Sequence, residues 1–284
     1  MSDFQDGMFH KRSCKILGKE RIYKGKQMCY DIYVGRDAWM HHALTSSEGG
    51  ETMHYILSDI HGNERRFHSI LAQIDLQPED ELYILGDVID RHPWGLRILR
   101  RIMAMPNARM ILGNHEYMML RALGHPRDTN VDDGTAKAHW YRNGGGVTHR
   151  HWKFLRKTVR QEILDYLSAL PLNIELEAAG RRWKLVHGAP AEGYAANTDP
   201  RYLTETHYAV WKRPAGAEPL WKDGTVIFGH TPTIHLQSAV PMEIWYGEGS
   251  IGIDCGCGFP EDSPEGRLAC LRLEDGKVFY SDER

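Results

Sequence analysis

The chain has no run of about 18 apolar residues, the length that a helical bilayer span requires. Its opening, Met1-Ser2-Asp3-Phe4, lacks a basic segment followed by an apolar one and does not read as a signal peptide. It has no basic stripe. With 35 Lys and Arg against 38 Asp and Glu, the net charge is −3, so a phosphate-tracking surface for nucleic acid is not expected. Cysteine is scarce at five, an odd number, and scattered except for Cys255-Gly256-Cys257. Two cysteines one residue apart are badly placed for a mutual disulfide. No second pair completes a zinc site beside them. All five are expected to be thiols in a reducing cytoplasm. No internal repeat or low-complexity tract is present. Neither a membrane nor a nucleic acid is therefore an expected partner.

What is present suits one large domain: 284 residues, 42% of them hydrophobic. Residues 1–52 differ from the rest, with scattered basic residues and no long amphipathic pattern. They end in Ser46-Ser47-Glu48-Gly49-Gly50-Glu51-Thr52. Codons for Glu-Gly-Gly-Glu can contain the purine run of a bacterial ribosome-binding sequence. We expect 1–52 to be translated leader, with the natural start at Met53. The alternative is a genuine N-terminal extension, with short strands at Ile22-Tyr23 and Tyr30-Asp31-Ile32-Tyr33-Val34.

From residue 53 strands and helices alternate. Strands are expected at 53–58, 82–85 and 109–112, and helices at about 63–75, 94–105 and 115–123. Units of this length argue for an α/β fold with parallel strands. Residues 124–150, polar and rich in glycine, interrupt the pattern and read as a cap-like insertion. A helix over about 152–168 is stopped by Pro171. The remainder reads as β, at 173–178, 182–186, 225–228, 251–254, 267–273 and 277–280, with a hairpin turn at Asp275-Gly276.

Asp, His and Asn gather at the ends of the buried strands. The segments are Ser58-Asp59-Ile60-His61-Gly62, Gly86-Asp87-Val88-Ile89-Asp90-Arg91, Gly113-Asn114-His115-Glu116, Val186-His187-Gly188 and Phe228-Gly229-His230-Thr231. Asp87 follows Asp59 by 28 residues, and Asn114 follows Asp87 by 27. Each interval is one strand–helix unit, so the three loops should emerge along one sheet edge, where α/β sheets bind ligands. Any one of these residues alone would be an ordinary cap, turn or core histidine.

Together the segments resemble the dinuclear metallophosphoesterases of the calcineurin-like kind, and within them the phosphoprotein phosphatases. The resemblance covers most of the chain after residue 53. It implies a central β-sandwich flanked by helices, a four-layer αββα fold. It implies two divalent ions, the first on Asp59, His61 and Asp87. Asp87 bridges to the second, held also by Asn114, His187 and His230. Oxygen and imidazole donors without thiolate suit manganese, iron or zinc, and manganese is expected. Two such ions bring four positive charges and the two aspartates return two negative ones, leaving room for a phosphate and a hydroxide. The resemblance further implies attack on phosphorus by a metal-bridging hydroxide. His115 would protonate the leaving group, oriented by Asp90. Arg91 would grip phosphate oxygens with its planar fork, with Asn114 beside it, and Arg213 is the candidate for a second clamp arginine.

One departure is the residue after Arg91. The family usually has glycine there, and this chain has His92-Pro93-Trp94-Gly95. Glycine there permits a backbone geometry that is strained for histidine, so the loop is expected to bend differently, with His92 facing the substrate. The expected activity is phosphomonoester hydrolysis on phosphoserine or phosphothreonine, the partner being a phosphorylated protein or a small phosphoester. A dinucleoside polyphosphate hydrolase is the alternative, with a general phosphodiesterase and an inactive phosphopeptide-binding scaffold behind it. The Asp90-Arg91 pair favours the phosphatase over the first, and Gly229-His230-Thr231-Pro232 favours it over the second.

Overall fold

A computed structural model describes residues 52–281, apart from 126–127, 129–133, 215–219, 237–239 and 261–265. The leader or extension over 1–52 therefore lies almost wholly outside the described residues.

Three strand–helix units open the domain: β1 (His54–Leu57), α1 (Glu64–Ile74), β2 (Glu81–Ile84), α2 (Gly95–Met103), β3 (Ala108–Met110) and α3 (Asn114–Ala122). The strands pair in parallel, Tyr55 opposite Leu82 and Leu82 opposite Ala108. Then come α4 (Ala136–Arg142), α5 (Gly145–Trp152), α6 (Lys157–Ala169), β4 (Asn173–Ala178), β5 (Arg181–Val186), α7 (Glu205–Trp211) and β6 (Thr225–Phe228). Four strands finish the domain: β7 (Trp245–Gly247), β8 (Ser250–Gly252), β9 (Ala269–Arg272) and β10 (Val278–Tyr280). The first sheet has the order β10-β9-β1-β2-β3, the second β4-β5-β6-β8-β7.

The side-chain period of two along each strand builds the layers. In β1, Tyr55 and Leu57 join Phe67, Ile70 and Leu99 of the helices, whereas Ile56 joins Trp183, Leu185 and Ile227 of the second sheet. The inter-sheet core is thus one apolar sandwich, and the expected helix-flanked β-sandwich is the fold. The outer face of the second sheet is more thinly covered. Val186 and Phe228 there pack with Leu236 of a short 3₁₀ turn and with Trp221 and Trp245.

The segment read as a polar interruption is more regular than expected. Within 124–150 the chain forms α4 and the start of α5, burying Trp140 and Thr148. The glycines disguised this: Gly144 takes a left-handed turn, φ 98°, between two short helices. Helix α7 and strand β7 were not expected, and the helix expected from about 152 is in fact α6, which starts at Lys157.

Candidate metal centre and phosphate site

The loops after β1 and β2 are laced together by their own backbone. Asp59 N–H donates to Gly86 O at 3.2 Å, His61 N–H to Asp87 O at 2.9 Å and Gly62 N–H to Val88 O at 2.8 Å. The loop after β3 secures them from the other side. Glu116, wholly buried, accepts from the backbone N–H of Asp87 (2.8 Å), Val88 (2.9 Å) and Ile89 (3.3 Å). Gly113 permits the approach, because a Cβ there would lie 2.3 Å from Asp87 N. Asp59, His61, Asp87, Asp90 and Arg91 all have positive φ. Outside glycine that conformation costs of order 1–3 kcal/mol per residue and persists only where surroundings over-determine it; the lacing supplies that constraint.

The second sheet closes on this platform. His230 N–H donates to Asp59 Oδ2 at 3.0 Å. Gly229 makes the seam possible, since a Cβ would lie 2.0 Å from Ser58 Oγ. His187 sits at the end of β5 and His230 just beyond β6, and both are buried.

Asp87 lies between two imidazoles, its Oδ2 3.7 Å from His61 Nε2 and its Oδ1 3.4 Å from His187 Nε2. Asp59 Oδ1 is 3.8 Å from His61 Nε2. Asn114 Oδ1 lies 2.8 Å from both His187 Nε2 and His230 Nδ1. Whether a cation fits can be tested on the protons. A carbonyl only accepts, so His61 Nδ1 must donate to Ile89 O (3.2 Å) and His187 Nδ1 to Leu85 O (2.6 Å). In the neutral imidazoles this leaves both Nε2 lone pairs aimed at carboxylate and amide oxygens. Acceptors facing acceptors are satisfied by a metal ion, and outward hydrogen bonds of this kind are how metal-binding histidines are oriented.

The electrostatics agree. Burial, then the cations Arg91 and His115, push the His61 pKa well below its ordinary value. Burial and His187 do the same to His230. Both imidazoles stay neutral, as ligands must. Among the carboxyls, burial and then Asp87 raise Asp59, and burial and then Asp59 raise Asp254. Burial and Asp87 push Glu116 up to about 7. Divalent cations would relieve this crowd of buried negative charge.

His115 differs from the other imidazoles. Burial opposes its protonation, but Asp87 and the hydrogen bond to Asp90 outweigh burial and raise its pKa. Its Nδ1 is 2.7 Å from Asp90 Oδ2, and its Nε2 faces the site, 3.8 Å from Asp87 Oδ2 and 3.4 Å from the Arg91 guanidinium. Its side chain crowds one point with those of His61 and Asp87. Arg91 is exposed to solvent at the mouth of the site. Arg213 donates from Nη1 to His230 O at 3.0 Å, which puts its guanidinium against the backbone of the second sheet's histidine.

Several residues here were given no role from the sequence. Trp140 of α4 donates its indole N–H to Asp90 Oδ2 at 2.8 Å, and Thr148 of α5 accepts from Asp90 N–H at 3.0 Å. The insertion thus grips the dyad. A lone tryptophan in a polar stretch was the only signal. Glu116 stood in plain view within Gly113-Asn114-His115-Glu116, and Trp211 of α7 packs edge-on to His230 at 5.6 Å. His92 does not take up the backbone that glycine would permit, and the loop bends differently. The positive φ values fall on Asp90 and Arg91, and His92 is outside the left-handed region. Its N–H donates to Asp90 O at 2.8 Å and its Nδ1 lies 3.0 Å from His61 O.

Known proteins resemble this chain in sequence and in fold. A bis(5'-nucleosyl)-tetraphosphatase, symmetrical, from Erwinia tasmaniensis is 24% identical over 81% of this chain and 97% of its own. The solved structure of a candidate diadenosine tetraphosphatase superposes with a TM-score of 0.53 at 17% identity, covering 81% of this chain and 92% of that one. A protein serine/threonine phosphatase from Saccharomyces cerevisiae gives a TM-score of 0.51 at 12% identity, over 81% and 80%. The sequence profile of the calcineurin-like phosphoesterases matches residues 55–265. With that match spanning most of the chain, the protein belongs to the calcineurin-like phosphoesterase family, hydrolases of phosphate esters that work with divalent metals.

Proposed function

We propose that the protein hydrolyses dinucleoside tetraphosphates symmetrically, water adding across the central P–O–P bridge to release two nucleoside diphosphates. The observation that carries this reading is the relative from Erwinia tasmaniensis, aligned over 97% of its length. It reverses the order expected from the sequence, in which the phosphatase came first.

On this reading Asp59, His61 and Asp87 hold one ion, and Asp87, Asn114, His187 and His230 the other, with manganese the expected metal. When bound, the ions supply Lewis acidity and a nucleophile available at neutral pH. The protein does the rest. Arg91 and Arg213 take the phosphate oxygens, Arg91 through a bidentate fork. His115 gives the proton from Nε2 to the departing oxygen, and Asp90 keeps the opposite nitrogen protonated. The three cysteines among the described residues are buried free thiols, in keeping with a cytoplasmic enzyme.

A second reading, phosphoserine or phosphothreonine hydrolysis, is favoured by one feature. The 2.7 Å His115–Asp90 dyad supplies a proton that an alkoxide leaving group needs more than a nucleoside diphosphate does. A side-by-side measurement of kcat/KM with manganese separates the two. Diadenosine tetraphosphate should exceed a phosphoserine peptide by at least about 100-fold, a gap of roughly 2.7 kcal/mol, with ADP as the product. The reverse order would install the phosphatase reading instead.

A further inference from the structure

Beside the phosphate site lies a cleft of about 230 Å³, lined by Gly62, Arg65, His68, His92, Pro93 and Trp94. It is smaller than the roughly 300–1,000 Å³ that a drug-sized ligand fills, so it has room for one ring system rather than a whole dinucleotide. Its floor and wall continue the phosphate site directly. Gly62 follows His61, and His92 follows Arg91. Backbone bonds join the two sides, His92 N–H to His61 O at 3.0 Å and Trp94 N–H to Gly62 O at 3.3 Å.

The lining has an unusual composition. Trp94 leaves 46% of its surface open in an otherwise polar neighbourhood. Arg97 lies over its ring, 5.7 Å from the centroid, and the tilted His151 ring lies 6.5 Å away. His151 Nδ1 in turn donates to Pro93 O at 2.8 Å. A half-open indole next to exposed Arg65 and His68, with Asn63 and Glu64 also on the lining, suits a flat heteroaromatic ring with polar edges. A phosphoserine side chain carries no such ring.

We infer that this cleft is a nucleobase subsite, in which Trp94 stacks on the base of a nucleotide whose phosphates lie at Arg91. The inference rests on the reading of the substrate as a nucleotide. It gives a use to His92-Pro93-Trp94, the stretch that departs from the family pattern.

The test is equilibrium binding to the manganese-loaded protein. The probes are the non-hydrolysable methylene phosphonates of AMP and of ribose 5-phosphate, which differ only in the base. Wild type should bind the AMP analogue about tenfold to hundredfold more tightly, as base–aromatic stacking supplies. Trp94→Ala should bring the two ligands together by weakening the AMP analogue alone, and Trp94→Phe should keep most of the preference. Retained ribose phosphonate binding shows that the variant is folded. Equal affinities in wild type, or a preference that survives Trp94→Ala, would overturn the subsite. Failure of the proposed function reads differently: wild type would prefer the AMP analogue, lose that preference in Trp94→Ala, and yet not cleave diadenosine tetraphosphate.

Discussion

The two sheets contribute to the site in different ways. The first delivers its residues in clusters, Asp59 with His61, Asp87 with Asp90 and Arg91, and Asn114 with His115 and Glu116. The second delivers single imidazoles, His187 and His230. The clustered loops carry five non-glycine residues with positive φ, against His230 alone from the second sheet's site residues. They are stitched by backbone bonds and by Glu116. Strain therefore concentrates where several groups must be aimed from one short loop. A lone histidine at a strand end can instead be aimed by one outward hydrogen bond, as Leu85 O does for His187. On the proposed reading the rigid half would position a phosphate and a proton, and the simpler half would complete the metal set.

The contrast can be broken at its strongest point. Asp87 is placed between imidazoles from both sheets, His61 and His187. Asp87→Asn should lower turnover by roughly 10⁴-fold, the loss of several kcal/mol of transition-state stabilisation, and elemental analysis should find at least one ion missing. Two tightly held ions in that variant would contradict its position between the sites.

His115→Asn tests the proton function of the rigid half apart from its metals. Loss of a general acid costs about 10²–10⁴-fold, but only where the leaving group needs the proton. A phosphoserine peptide or other alkyl ester should suffer far more than p-nitrophenyl phosphate, with both ions retained. Equal losses, measured where chemistry limits the rate, would make His115 a phosphate-positioning group instead.

Glu116→Gln sharpens the comparison, because its hydrogen bonds brace the first sheet's loops. Metal affinity should fall about 10–100-fold, as for other outer partners of metal ligands, read by manganese titration. An unchanged affinity would mean that backbone lacing alone holds the Asp87 loop.

The insertion's grip on the dyad gives the smallest effect. Trp140→Phe deletes the N–H donated to Asp90 and should cost alkyl phosphate turnover about tenfold, the usual worth of a hydrogen bond to a charged group. The pH profile gives the sign. His115 must be protonated to act, and its raised pKa keeps it so to higher pH. Asp90→Asn removes one cause of the raise, so the alkaline limb should move to lower pH. A limb that stays put would assign it to another group.

Much of this was legible in the sequence because the chemistry sits in short segments at strand ends. The spacing of Asp59, Asp87 and Asn114 placed three loops on one edge, and the strands and helices formed within a few residues of expectation. What was not legible depended on tertiary contact. Trp140 and Thr148 meet Asp90 across 50 and 58 residues. The glycines of 143–146 read as a loop because nothing local shows that the flanking Trp140 and Thr148 will be buried. The different bend expected at His92 takes its form from the same contacts: the left-handed turn falls on Asp90 and Arg91, one step earlier, where Thr148 and Gly144 hold their N–H groups.

The most direct test of the central claim, that the two sheets jointly hold a pair of ions on which hydrolysis depends, is a manganese titration of the chelator-stripped enzyme with bound metal and turnover followed together. No turnover is expected without metal, and recovery should saturate at two ions per chain. In His187→Ala, binding should stop at one ion. Hydrolysis persisting in the stripped enzyme, or two ions still bound without His187, would contradict it.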